Sequence, residues 1–120
     1  RVTLELGGKS PNIVFDDCDL EDRVTASVLE CMYNSGQSCD APTRLLVQRS
    51  CYDDVVQIAK RAALGQTVGD PTQVGDHIGP LFDRIQFDRV QGMIQTGLDE
   101  GATLLCGGLG KPDGFDTGWF

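Results

Sequence analysis

The sequence predicts an α/β fold with strands alternating with helices around a largely parallel sheet, and three observations carry that expectation. Short apolar runs rich in β-prone residues alternate with stretches of helical periodicity. Clusters of Gly, Pro, Asn and Asp punctuate the boundaries. Helices of this length between successive strands act as the crossovers that parallel pairing requires.

The first element is Asn12-Ile13-Val14-Phe15, an apolar run between Pro11 and an acidic cluster, which reads as a buried strand. Asp19 offers a helix N-cap, with Asp22 at the third helical position. Val24, Val28, Leu29 and Met32 recur at helical spacing, so a helix is expected from about Leu20 to Tyr33. Asn34-Ser35-Gly36 ends it with residues that tolerate left-handed geometry. Residues 37–42 read as irregular and residues 43–48 as the next strand. Ser50 is the expected cap of a second helix whose inner face holds Val55, Ile58, Ala59 and Ala62. The Gly-, Pro- and Asp-rich stretch 65–80 is a loop. A third helix runs from about Arg84 to Leu98, with Phe87, Val90, Ile94 and Leu98 as its apolar stripe. Gly101 stops it, and residues 102–106 suggest one more strand. The sequence contains no internal repeat, and no linker divides residues 1–120.

Composition narrows the function classes. Lys and Arg total 10 against 18 Asp and Glu, a formal net charge of −8. A nucleic-acid partner is not expected, because phosphate binding needs an excess of cations. No apolar run approaches the roughly 20 residues that cross a bilayer, so no membrane association is expected. No signal-peptide pattern is present either. The five cysteines, Cys18, Cys31, Cys39, Cys51 and Cys106, lack C-x-x-C spacing, and His77 is the single histidine. An odd number of unclustered cysteines suits a reducing, cytoplasmic setting and offers no metal site. The β-prone opening at Arg1 and the aromatic close at Trp119-Phe120 read as cut ends of a larger protein.

Two segments place chemistry-bearing residues where packing does not demand them. In Leu4-Glu5-Leu6-Gly7-Gly8-Lys9-Ser10-Pro11 a carboxylate alternates with two leucines, and the glycines permit close approach to the backbone. Glu5 reads either as a solvent-facing residue before a turn or as a base. In Asn34-Ser35-Gly36-Gln37-Ser38-Cys39-Asp40-Ala41-Pro42 a thiol lies in a Gly-containing loop after a helix. It reads either as a small buried cysteine, as assumed for the other four, or as an exposed nucleophile.

Taken together, residues 4–11 resemble the glutamate motif of the aldehyde dehydrogenase superfamily, and Gly36-Gln37-Ser38-Cys39 resembles its cysteine motif, at the separation many members have. The likeness continues through Thr43-Arg44, Gly69-Asp70-Pro71, Ile78-Gly79-Pro80, Gln86-Phe87 and Glu100-Gly101-Ala102.

That resemblance implies oxidation of an aldehyde to a carboxylic acid with NAD or NADP, through a cysteine thiohemiacetal and thioester. It assigns the nucleophile to Cys39 and the water-activating base to Glu5. The Cys39 backbone N–H becomes one oxyanion donor, and the second donor of relatives lies upstream of this segment. Leu6 and Gly7 correspond to backbone beside the nicotinamide, and Gln86 and Arg89 to ribose-contacting residues. Their spacing of three puts Gln86 and Arg89 on one helical face, which fits that role and equally fits a solvated surface. Ser38 and Asp40 fall in the substrate pocket. Relatives usually carry an uncharged residue at the position of Asp40. The carboxylate there implies a preference for cationic or hydroxyl-bearing aldehydes, unless it turns away to cap a backbone N–H. His77 is expected to be solvated.

The segment corresponds to part of the family's catalytic, thiol-bearing domain, with the junction to the cofactor domain at about residues 1–10. The parent is expected to be a homodimer or homotetramer. Two other readings belong to different classes: an isolated inactive fragment, and a non-catalytic structural member of the family. Retention of both Cys39 and Glu5 opposes the second. Glu5 likewise opposes thioester formation with coenzyme A, since relatives of that kind often lack the glutamate.

Overall fold

The computed structural model describes residues 1–120, which form two compact units, Arg1–Gln66 and Thr67–Phe120. In the first unit the order is β1 (Pro11–Val14), α1 (Leu20–Met32), a 3-10 turn (Tyr33–Gly36), β2 (Arg44–Val47), a second 3-10 turn (Arg49–Cys51) and α2 (Tyr52–Gly65). The two strands are parallel, with Pro11 opposite Arg44 and Val14 opposite Val47. Side chains alternate across a strand, so Val14, Leu45 and Val47 turn toward the helices while Ile13 and Leu46 stay exposed.

α1 starts where the sequence places it. The Asp19 carboxylate accepts the Asp22 N–H at 3.1 Å, and Glu21 and Asp22 put negative charge at the positive end of the helix dipole. The helix buries Val24 completely and ends because Asn34 and Ser35 take left-handed φ values of 51° and 58°. α2 buries Val55 and Ile58 against the same cluster, with Val28 and Ala59 at its margin. Strand-to-helix turns are tied by side chains. Gln48 donates to the Asp16 carboxylate at 2.9 Å, and the Ser50 hydroxyl donates to the same carboxylate. Ser50 therefore does not cap α2 as expected. Its hydroxyl is engaged by Asp16, and Cys51 at the cap position makes no side-chain capping bond.

In the second unit residues 67–83 carry no helix or extended strand, only an isolated parallel bridge between Val68 and Ile78. Asp70 organises this loop by accepting the Thr72 N–H and hydroxyl, both at 2.8 Å. These two bonds favour the ionised form and hold the Asp70 carboxyl below its ordinary value. His77 is half-buried rather than solvated. Its Nε2 lies 2.9 Å from the Asp70 carbonyl, and its ring packs so closely that a Cβ on Gly69 would approach within 2.5 Å.

α3 (Arg84–Asp99) opens on Asp83, which accepts the Gln86 N–H at 2.8 Å, and closes at Gly101 with φ of 89°. Phe87 packs on Trp119 with ring centroids 5.8 Å apart, and Lys111 lies 4.6 Å above the indole.

Two β-prone segments are not strands. Residues 1–6 and 102–106 make no ladder, because a strand exists only where another backbone lies alongside, and β1 and β2 pair with each other alone.

Candidate active site

Cys39 sits on a turn whose shape follows from its neighbours. Three consecutive positive φ values, ending with 75° at Gly36, carry the chain sharply away from α1. The Gln37 N–H and side-chain amide both donate to the Asn34 carbonyl, at 3.1 and 3.0 Å, which closes this bend. The Ala41 N–H then donates to the Ser38 carbonyl at 3.3 Å, so Cys39 and Asp40 occupy the tip of a four-residue turn. Ala41 is 3% exposed and anchors the turn, while Cys39 and Asp40 face solvent.

The cysteines thus sort differently from the expectation that all but Cys39 are buried. Cys51 is buried, Cys31 and Cys106 are intermediate, and Cys18 is exposed. Cys18 emerges because it precedes the Asp19 cap, outside the helix face that packs. No disulfide links any of the five, and no group of three or more His, Cys, Asp or Glu is arranged to hold a metal.

Glu5 lies in an exposed segment, residues 1–9, whose backbone makes no hydrogen bond to the rest of the chain. One contact joins this segment to the nucleophile turn. A Cβ on Gly7 would lie 3.8 Å from the Cys39 Cβ and 3.9 Å from its Cα, so the Gly7 backbone passes directly beside Cys39. Glu5 is two residues upstream of Gly7, at most about 7 Å along the chain. No atom lies within 4 Å of a Cβ on Gly8, so the backbone there is open to a flat group. The Cys39 N–H has no acceptor within the chain and is free to serve an oxyanion.

The Asp40 carboxylate makes no hydrogen bond or ion pair, so the expected alternative of a backbone cap is not realised. Beneath the turn, the Thr43 hydroxyl is buried without a partner. That orphaned donor is a feature no sequence pattern signals. Lys9 was also missed: its charge acts on Cys31, opposing the burial that raises that thiol. Gln86 and Arg89 lie in the second unit on the first turns of α3, Gln86 half-buried and Arg89 exposed.

The model of the aldehyde dehydrogenase family matches residues 1–120, the whole chain. The chain belongs to the aldehyde dehydrogenase family. Among curated aldehyde dehydrogenase relatives, 3-succinoylsemialdehyde-pyridine dehydrogenase of a Pseudomonas species is 50% identical over 120 residues, all of this chain and 25% of that protein. A putative aldehyde dehydrogenase of Staphylococcus epidermidis is 45% identical over the same span. The crystal structure of an aldehyde dehydrogenase from Bartonella henselae superposes with a TM-score of 0.94 at 50% identity, covering all of this chain and 25% of that one. Aldehyde dehydrogenase C of Pseudomonas syringae, a variant solved with NAD+ and octanal, superposes at 0.92 with 43% identity, covering 97% of this chain and 24% of that one. The chain therefore spans about a quarter of the length of the aldehyde dehydrogenases it matches. The α/β expectation holds: the parallel β1–β2 pair with its helices is a piece of this family's fold.

Proposed function

We propose that the protein carrying this chain oxidises an aldehyde to a carboxylic acid with NAD+ or NADP+. The observation that carries this reading is the approach of Gly7 to Cys39, which brings the glutamate-bearing segment to an exposed thiol on a turn. In this reading the Cys39 thiolate attacks the aldehyde carbon, and the carbonyl oxygen becomes an oxyanion that accepts the Cys39 N–H. Glu5 takes a proton from water, which hydrolyses the Cys39 thioester in the second half-reaction.

The cofactor fits the residues present. Within the first unit, the open, unbonded backbone at Leu6 and Gly7 beside Cys39 would hold the nicotinamide end. Within the second, Gln86 and Arg89 are assigned to a ribose by the family resemblance alone. When bound, the dinucleotide would supply the hydride acceptor that aldehyde oxidation requires. Ser38 and Asp40 flank Cys39 and are assigned to the substrate pocket, where the unpaired carboxylate favours cationic or hydroxyl-bearing aldehydes.

Residues 1–120 are assigned to the catalytic domain, with residues 1–10 at its junction with the cofactor domain. The parent is assigned as a homodimer or homotetramer, and its place to the cytoplasm, the latter in keeping with five free thiols.

The test is a panel of aldehydes offered to the purified full-length protein with each cofactor, repeated on two variants. Cys39→Ala is expected to abolish both the burst of reduced cofactor and turnover. Glu5→Gln is expected to keep the burst and to slow the steady state by ~10² to 10⁴. An unaltered steady-state rate in Glu5→Gln removes Glu5 from the mechanism.

A further inference from the structure

Two thiols outside the proposed active site occupy equivalent places in adjacent strand–turn–helix units. β1 and β2 are parallel with Val14 opposite Val47, and the Gln48 N–H extends the pairing by donating to the Val14 carbonyl at 3.0 Å. Cys18 follows Val14 by four positions, and Cys51 follows Val47 by four. Each thiol donates to the carbonyl three residues before it, Cys18 to Phe15 at 3.3 Å and Cys51 to Gln48 at 3.4 Å. The two turns are also stitched to each other. The Asp16 N–H donates to the Gln48 side-chain carbonyl at 3.4 Å, while the Asp16 carboxylate accepts from Gln48 and Ser50.

Neighbouring strands lie about 4.8 Å apart, and a disulfide joins Cα atoms roughly 4.4–6.8 Å apart. The hydrogen bonds of Asp16 to Gln48 and Ser50 hold the two turns side by side, so closing the bridge requires the cysteines of these turns to reach that separation. The thiols differ in character. Cys18 is exposed, whereas Cys51 is 4% exposed. Burial first, then the charge of Asp16, pushes the Cys51 thiol up, and Cys18 is itself near enough to add to that effect.

We propose that Cys18 and Cys51 form a thiol–disulfide modification site whose reactant is a low-molecular-weight disulfide of the glutathione type. Cys18, the accessible thiol, attacks one sulfur of the external disulfide as thiolate, and the other leaves as a thiolate. The S–S bond of the reagent breaks as a mixed disulfide forms on Cys18. Cys51 then attacks the Cys18 sulfur and expels the second small thiolate. The protons of Cys18 and Cys51 end on the two released thiols, so the protein loses two hydrogens and the reagent is reduced. The product ties the starts of α1 and α2 together and closes a loop from residue 18 to residue 51 that contains Cys39.

The experiment uses the folded full-length protein, oxidised glutathione as reagent, alkylation of the remaining thiols and tryptic mapping without reductant. Residues 10–23 are expected joined to residues 50–60, with two hydrogens lost and the link reversed by dithiothreitol. In Cys51→Ser, glutathione is expected to persist on Cys18. In Cys18→Ser, Cys51 is expected to remain a thiol that alkylates only on unfolding. Glutathione retained on Cys18 of the unaltered protein beside a free Cys51 overturns the proposal. So does an unreacted Cys18, or a bridge from Cys18 to Cys31, to Cys39 or to a second molecule.

Discussion

Cys39 is exposed on its turn because residues 34–36, upstream of it, hold left-handed backbone. Gly36 has a φ of 75°, and a Cβ there would lie 3.6 Å from the Cys31 carbonyl. Gly36→Ala is therefore expected to cost about 1–2 kcal/mol from left-handed strain. An unchanged denaturation midpoint would show that the bend is not held as described. Exposure divides the thiols more finely than loop position does. Brief iodoacetamide treatment of the native protein is expected to label Cys39 and leave Cys51 unlabelled until unfolding. Early labelling of Cys51, detected by peptide mapping, contradicts the core placement. Cys18 is exposed too, so accessibility alone does not single out Cys39. What distinguishes Cys39 is the Gly7 backbone beside it.

Among the elements, α1 and α2 depend on two fully buried valines. Val24→Ala or Val55→Ala removes two methyl groups from the core and is expected to cost about 2 kcal/mol each. The two losses should not add, since both residues belong to one packed cluster. A double-mutant cycle by urea denaturation measures the coupling, and strict additivity would mean that the helices pack independently. The loop after α2 responds to acid instead. Asp70 has a folded value lowered by the Thr72 N–H and hydroxyl, from an ordinary 3.8. Its stabilisation is therefore fully present above the ordinary value and is lost as pH falls through the lowered folded one. The amide proton of Thr72 is expected to lose exchange protection in that acid range. In Asp70→Asn, which keeps an oxygen acceptor but no charge, this acid step should vanish.

The whole chain carries more apolar surface than it covers. Six residues are buried, while Ile13, Phe15, Leu46, Ile85, Met93 and other large apolar side chains are exposed. Parallel sheets are normally covered on both faces, yet Ile13 and Leu46 lie directly opposite one another on the uncovered face of β1–β2. A chain spanning a quarter of its relatives' length is expected to show no dehydrogenase activity alone and to self-associate. Sedimentation of the isolated polypeptide, together with an assay for reduced cofactor, checks both expectations. A monomer producing NADH would show that the chemistry needs less of the protein than the mechanism supposes.

Local chemistry was legible in the sequence. Asp19 was readable as a cap because a capping side chain acts over three residues, whereas Asp83, which caps α3 by the same kind of bond, was not read from its spacing. The bend at Asn34-Ser35-Gly36 and the parallel pairing of the first two strands were likewise readable, since left-handed tolerance and crossover length are properties of the chain itself. Glu5 and Cys39 stood out as residues that packing does not require. What only the tertiary structure decided depends on partners distant in sequence. Ser50 turned from a cap into a partner of Asp16, and His77 left solvent for the cradle of Gly69 and Asp70. Residues 102–106 have the composition of a strand but no neighbouring backbone, and Cys18 and Cys51 differ in exposure although both look like small apolar residues. Propensity belongs to a residue, but a ladder, a burial or a close approach belongs to a pair of segments, and folding alone determines which segments meet.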